Sequence, residues 1–421
     1  MKCRKVLLVT SAYPYGYGES FVTAELKHIS KYFGSIELVP CSYPAGVPPR
    51  PVTQEVNMAY AEKRWGLLRK VHMLSSLAAA LVKYKWFKDF AYVLKHNHKF
   101  INLKELARAL YRARSFENFL EDEIVKKKKE IDLVYFYWMV PEILGAISFR
   151  ESSRRAFSIV SRVHSGDLYL DLRIGRYIGL RDSIAAGVDE IYCISDYAKS
   201  YLTSKYPPVI DRVRMARLGV DDPGYLNVQP ADGQLSIVSC SFVVPEKRVH
   251  LIVEALKFLL DRDPGLRIKW THIGTGQLFE QLRASVDEKI RGRALVVFTG
   301  LLAQHQVMKL YRDERFDVIV NVSDSEGIPV SLMEASSAGI PMIATDVGGN
   351  SEIVNAGNGI LIAADADIAT IAAALMHFAD KPRASVYRTK ARSYWEEKFN
   401  APKNYDVFGQ ELARLVQTSH V

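Results

Sequence analysis

The chain has 421 residues, 48% hydrophobic and 24% charged, with a formal net charge of +9. That length exceeds one ordinary core and predicts two domains of a globular protein. No segment approaches the roughly 20 consecutive apolar residues of a membrane-spanning helix, which excludes an integral helical membrane protein.

The first apolar run, "KVLLVTSAYP", opens like a signal peptide, but its apolar core is short and runs into Tyr and Pro, so it predicts a first strand. The loop after it, "SAYPYGYGESFVTAEL", carries Gly16 and Gly18, whose backbone amides would approach a phosphate. "SIELVPCSY" predicts a second strand. From Ala61 to Glu130 there are 17 Lys plus Arg against 8 Asp plus Glu, so this segment holds the whole net charge. Tyr84, Trp86, Phe87, Phe90, Tyr92 and Phe100 alternate with its lysines. Two readings fit: amphipathic helices with solvated lysines, or a surface for an anionic bilayer. A nucleic-acid partner is not expected, since no recognition module accompanies the charge. "IDLVYFYWM", "AFSIVSRVH" and "EIYCIS" continue the strand and helix alternation of a doubly wound parallel sheet. In "SRVHSGDLY", His164 and Asp167 directly follow a buried strand.

"RLGVDDPGYLNVQPADGQ" is rich in Gly, Pro and Asp and predicts a linker over Asp221 to Gln234. The expected domains are 1–222, completed by about 398–421, and 234–397. The second half repeats the pattern in "LSIVSCSFVV", "RIKWTHIG", "ALVVFTG", "DVIVNVS" and "PMIAT". Lys247 and Arg248 stand near a helix start, where a gathering of cations calls for an anion such as a pyrophosphate. Gly274 and Gly276 form a G-x-G loop after the second of these strands. Four cysteines, Cys3, Cys41, Cys193 and Cys240, lack metal spacing, and three adjoin apolar runs. Reduced, buried thiols in a cytoplasmic protein are expected.

The stretch "SDSEGIPVSLMEASSAGIPMIATDVGGNSEI" places Glu326 and Glu334 eight positions apart. The run before it predicts a strand that ends near Ser323, and Pro329 suits the first turn of a helix. Glu326 then lies on the loop and Glu334 in the helix, with a further helix expected from Ser351 or Glu352. Unpaired N–H groups at a helix start favour an anion, and carboxylates beside them suit vicinal hydroxyls. A nucleotide sugar has both features.

"EGIPVSLME" resembles the E-x7-E signature of the family-four retaining glycosyltransferases of the GT-B fold. The resemblance implies an α/β protein with two Rossmann-like doubly wound domains facing across a cleft and a C-terminal helix crossing back to the first. It implies that Glu334 holds ribose hydroxyls, that Glu326 faces the donor sugar, and that the backbone at Gly327, Ile328 and Val330 meets sugar and phosphate. "SFVVPEKRV" is similar to the family's GRLVPEKG, with Lys247 on the diphosphate. Phe242 stands where the family has a second cation, and Arg248 is assigned that contact. The G-x-G loop at Gly274 and Gly276 would lie near the nucleotide, and the backbone up to Leu302 near the base. Gly16 and Gly18 would approach the donor phosphate, His164 the transferred sugar, and Asp167 the acceptor.

The implied activity is that of a metal-independent hexosyltransferase. It takes a UDP- or GDP-sugar, needs no cofactor and serves bacterial surface polysaccharide synthesis, including lipopolysaccharide and exopolysaccharide. Its expected partners are a lipid-linked saccharide acceptor and an anionic membrane surface, with the protein cytoplasmic and peripheral to the inner membrane face. The rival readings are a nucleotide-sugar 2-epimerase of the same fold and a catalytically silent nucleotide-sugar-binding subunit. The acidic pairs Asp261 with Asp263 and Asp365 with Asp367 read as turn and cap residues rather than metal ligands.

Overall fold

The apolar runs become the strands of two parallel sheets in the computed structural model, which describes residues 4–16, 18–44, 46–65, 69–231 and 233–418. The chain divides into an amino unit, Met1–Ala216 with Tyr405–Val421, and a carboxyl unit, Arg217–Asn404.

The amino unit holds β1 (Lys5–Thr10), β2 (Ser35–Pro40), β3 (Glu55–Val56), β4 (Leu133–Phe136), β5 (Ser158–Val163), β6 (Glu190–Cys193) and β7 (Val213–Met215). They pair in the order β3-β2-β1-β4-β5-β6-β7. β4 and β5 are buried along their whole length, as is β1 beyond Lys5. That double burial is why they read as continuous apolar runs. The strand order reverses between β1 and β4, and doubly wound sheets receive ligands at the carboxyl ends of strands at such a reversal.

The basic segment supplies helices Ala59–Trp65, Arg69–Lys83, Phe87–Lys95 and Lys99–Leu120 between β3 and β4. Leu106, Leu110, Phe116 and Phe119 turn the longest helix inward, and its closest approach is to the helix Glu142–Ser153. Gly145 permits that approach, since a Cβ there would stand 2.1 Å from the carbonyl oxygen of Ala113. The aromatics of this segment divide in two. Tyr84 is buried, and Trp86 and Phe90 pack against the core, whereas Phe87 and Phe100 are 71% and 90% exposed.

The carboxyl unit holds β8 (Leu235–Cys240), β9 (Ile268–Ile273), β10 (Leu295–Gly300), β11 (Val318–Asn321), β12 (Met342–Thr345) and β13 (Gly359–Ile362). Their order is β10-β9-β8-β11-β12-β13, with the reversal between β8 and β11. Helices His250–Arg262 and Ile368–His377 bury Ile252, Leu256, Ile371 and Leu375 against this sheet's core.

Three sequence expectations change in detail. The Gly, Pro and Asp-rich stretch is bound to the carboxyl unit: Asn227 is buried and its Nδ2 donates to the carbonyls of Tyr311 at 2.6 Å and Glu314 at 2.7 Å. The carboxyl unit begins earlier, at Arg217, and Val220 pairs with Asn400 within it in a parallel bridge. Pro329 is the residue preceding the helix Val330–Ser337, with an extended ψ of 114°. The helix expected from Ser351 is a single 3-10 turn, Asn350–Glu352, because β13 begins only a few residues on.

The last helix, Ala401–Thr418, includes the residues from Tyr405 onward that belong to the amino unit. There Phe408 stands 5.6 Å from Tyr135 and 4.9 Å from Tyr192, ring to ring. The guanidinium of the fully buried Arg162 lies 4.2 Å above the Phe408 ring and 3.1 Å from Glu25. Cys41 and Cys193 are buried free thiols and Cys240 is half-buried, while Cys3 lies outside the described residues.

Candidate functional site

The loop after β11 is organised around one carboxylate oxygen. Asn321 Nδ2 at 3.0 Å and Ser323 Oγ at 2.7 Å both donate to Glu326 Oε1. Lys247 Nζ lies 2.6 Å from the same oxygen. Lys247 ends the 3-10 turn Pro245–Lys247 that follows β8. The ion pair thus joins the loops after the two strands at which the sheet order reverses. Both side chains keep some exposure, 23% for Lys247 and 10% for Glu326, so a ligand's polar atoms have access to them.

Arg248 adopts a left-handed backbone, with φ at 44°. Its Nε donates to the Val322 carbonyl at 2.8 Å, and its Nη2 to the carbonyls of Ser323 at 3.1 Å and Ala364 at 2.9 Å. The residue expected to be a second phosphate cation is placed here as the brace of the loop that carries Glu326. Phe242 is about half exposed.

The G-x-G loop is a contact between two backbones. Gly274 has φ at 141°, and a Cβ there would stand 1.9 Å from the Ser241 carbonyl oxygen; at Gly276 it would stand 2.5 Å from that of Val243. Val243 N–H donates to the Thr275 carbonyl at 3.0 Å, and Leu278 N–H to that of Val243 at 3.0 Å. Only glycine fits such an approach, so these residues fix the loop after β9 to the loop after β8. Leu302 is half-buried in the turn between β10 and the helix Gln304–Asp313. Gly349 N–H donates to the Gly327 carbonyl at 2.9 Å, which ties the "DVGGN" loop to the Glu326 loop. Ile328 buries its side chain, and Val330 is half-buried at the first turn of its helix.

Glu334 is the second carboxylate, buried at 7% exposure in the helix Val330–Ser337. Burial raises its carboxyl from the ordinary 4.5 to about 7, opposed by a hydrogen bond from Gln304. A carboxylate this desolvated is costly to ionise without donors. Hydroxyl groups of a bound ligand would supply them.

In the amino unit, His164 follows β5 and its ring is walled by aromatic side chains. Trp138 lies 4.3 Å, Tyr137 5.1 Å and Phe21 5.8 Å from it, centroid to centroid. Both ring nitrogens are buried without a hydrogen-bond partner. Burial, helped by the Arg162 cation, pushes the ring's pKa well below 6.5, which keeps it neutral. The His164 N–H donates to Asp167 Oδ1 at 2.7 Å, and Met139 N–H to Asp167 Oδ2. Burial raises the Asp167 carboxyl to about 6 against the pull of Arg181 and these amides. Asp167 also lines a cavity of about 280 Å³ with Thr10, Ser11, Cys41, Arg112 and Trp138, at the carboxyl ends of β1 and β4. Arg112 pairs there with Glu142, Nε to Oε1 at 2.8 Å and Nη2 to Oε2 at 2.8 Å, and Arg64 approaches the same carboxylate at 3.4 Å. Gly16 has φ at 73° and Gly18 has open space around its Cα.

Two site residues escape the sequence reading. Glu19 gathers the N–H groups of Ser11, Ala12 and Tyr13 at the end of β1; its place in the glycine loop was its only signal. Arg112 and its partner Glu142 lie 30 positions apart, with nothing in either's neighbourhood to mark the pair.

Residues 234–381 match the family model of glycosyl transferases group 1, and the carboxyl unit carries that domain. The chain has the GT-B fold. It is similar over 96% of its length to the lipopolysaccharide outer core galactosyltransferase WaaB, which it covers to 99% (TM-score 0.64, 18% identity). It is similar over 98% to HepE of Anabaena, solved with UDP and glucose and covered to 100% (TM-score 0.65, 15% identity). By sequence, 220 residues, 50% of this chain and 52% of the relative, are 27% identical to WcaL of Salmonella typhimurium, named for glycosyl transfer in colanic acid biosynthesis. The chain spans about half the length of the curated relatives it matches.

Proposed function

We propose that the protein is a retaining, metal-independent hexosyltransferase of bacterial surface polysaccharide synthesis. The carboxyl unit takes a UDP- or GDP-sugar and the amino unit takes a saccharide acceptor. The observation that carries this reading is the Lys247 and Glu326 pair at the β8/β11 reversal, inside the region that matches the family model, with Glu334 buried on the helix that follows.

In this reading Glu334 accepts hydrogen bonds from the ribose diol, and Glu326 from a hydroxyl of the donor sugar. The backbone at Gly327, Ile328 and Val330 meets sugar and phosphate, while Gly274, Gly276 and Leu302 shape the loops around the base. Lys247 neutralises charge as it develops on the leaving diphosphate. Transfer proceeds on the front face: the bond from the anomeric carbon to the diphosphate oxygen breaks as the acceptor oxygen bonds on the same face. The acceptor's proton passes to the departing phosphate oxygen. His164, neutral and buried, presents an aromatic and backbone surface to the transferred sugar, and Asp167 faces the acceptor cavity. The backbone amides of the Gly16 and Gly18 loop are further candidate contacts for phosphate in this reading.

The acceptor is lipid-linked, and the protein works at the inner face of the cell membrane. Val82 and Phe100 are each 90% exposed, Phe87 71% and Leu74 65%, and Lys85, Lys95, Lys99 and Lys104 of the same helical segment are exposed as well. Exposed apolar side chains together with lysines suit an anionic lipid surface. Among the described residues no helix is long and apolar enough to cross the bilayer.

The test is turnover of UDP- and GDP-sugars with and without a lipid-linked saccharide extract. Acceptor-dependent release of nucleoside diphosphate supports transfer. Turnover to an epimeric nucleotide sugar with no acceptor, or nucleotide binding without any turnover, would replace the reading with one of its rivals.

A further inference from the structure

The end of β1 holds an anion nest that the chain fills by itself. Glu19 Oε1 accepts the N–H of Ser11 at 2.9 Å, and its Oε2 accepts those of Ala12 at 2.8 Å and Tyr13 at 2.7 Å. The Trp138 indole N–H donates to Glu19 Oε1 as well. Glu19 is buried at 7% exposure and sits in the left-handed region, φ 56°. A non-glycine residue persists there only when its surroundings over-determine it, and four donors on one carboxylate do so.

Trp138 is where this arrangement meets the site. It lines the cavity of about 280 Å³ together with Ser11 and Asp167, and its ring lies 4.3 Å from that of His164. The indole N–H is a single donor, so the bond to Glu19 fixes where that N–H points, while His164, Phe21 and Tyr137 pack around the ring. The lining cation Arg112 is engaged by Glu142, which Arg64 also approaches at 3.4 Å. The aromatic face of Trp138 beside the polar groups of Ser11 and Asp167 suits a sugar ring.

We propose that Glu19 is a positioning residue: by clamping the Ser11, Ala12 and Tyr13 amides and the Trp138 indole, it sets Trp138 as the aromatic wall of a saccharide cavity. This rests on the amino unit being the acceptor side, but the clamp itself is tested without turnover. Tryptophan emission of Glu19→Ala is compared with that of wild type, and the comparison is repeated in a Trp138→Phe background. Sodium formate is then titrated into Glu19→Ala, with sodium chloride at equal ionic strength as control. The emission should shift on Glu19→Ala only when Trp138 is present, and formate, which refills the nest, should reverse the shift where chloride does not. If Glu19→Ala fails to fold, Glu19→Gln, which keeps one acceptor oxygen but still occupies the nest, carries the emission comparison with and without Trp138 and is judged on that comparison alone, without the formate titration. A shift that persists in the Trp138→Phe background, or one that formate leaves untouched, would overturn the clamp. A clamp upheld in a protein that transfers no sugar would overturn only the acceptor reading.

Discussion

Lys247 Nζ and Glu326 Oε1 are held 2.6 Å apart by loops that follow β8 and β11. The carboxylate balances the lysine's charge, and in the proposed reading a donor diphosphate takes up part of that attraction. If Lys247 stabilises the leaving group as proposed, Lys247→Ala should lower kcat by about a hundredfold with a smaller change in KM. Steady-state kinetics decide it: an unchanged kcat with raised KM makes Lys247 a uniform binder.

Glu326→Ala should behave differently from Glu334→Ala. Its carboxylate faces the donor sugar in this reading, so binding of free nucleotide should persist while turnover of the intact donor drops. Equal losses for free nucleotide and donor, measured by calorimetry and turnover, would contradict the division of roles.

Glu334 gives a pH dependence with a definite sign. Its carboxyl titrates near 4.5 unfolded and is raised to about 7 in the fold. Between those values the unfolded chain has lost its proton and the native state retains it, so stability falls as pH rises from about 4.5 to about 7 and stays lower above. Glu334→Gln should remove this slope and be the more stable protein at pH 8, by up to about 3 kcal/mol. Calorimetric unfolding at pH 5.5 and pH 8 tests the sign. A mutant less stable at both pH values would mean that the buried carboxylate is already satisfied within the protein.

Arg248 braces three carbonyls, so Arg248→Met should lower stability by roughly 2 kcal/mol through the acceptors left without a donor. Donor affinity should fall less than it does on loss of Lys247. Thermal unfolding beside donor titration separates the two effects, and a stable mutant with lost donor binding would return Arg248 to the phosphate.

The parallel sheets were legible because strands buried on both faces, such as β4 and β8, leave long apolar runs. β3 and β7 were not: two or three residues at a sheet edge leave no run to see. Glu326 and Glu334 were visible because strand, loop and helix place them within one short stretch. Arg248's bracing contacts were hidden, since its partners Val322, Ser323 and Ala364 are more than 70 positions away. The placing of Trp138 beside His164 and Asp167 likewise depends on β4 and β5 being paired by the fold.

The basic helices should bind vesicles in proportion to their anionic lipid and release them with salt, at about 1 kcal/mol per basic residue near the surface. Lys83 is paired with Glu117 and Lys88 with Asp182, so Lys85, Lys95, Lys99 and Lys104 are the better set to change to glutamine. Co-sedimentation should drop in that variant, and also in Phe87→Ser with Phe100→Ser, while nucleotide binding stays. Binding indifferent to lipid charge would leave a soluble or protein-borne acceptor as the better reading.

Calorimetric titration of UDP and GDP into the wild-type chain and Glu334→Ala tests the central claim most directly. One of the two nucleotides should bind the wild type, and the substitution should weaken it by about 1–3 kcal/mol as the ribose diol loses its acceptor. Binding of neither nucleotide, or equal affinity in the two proteins, would contradict the account.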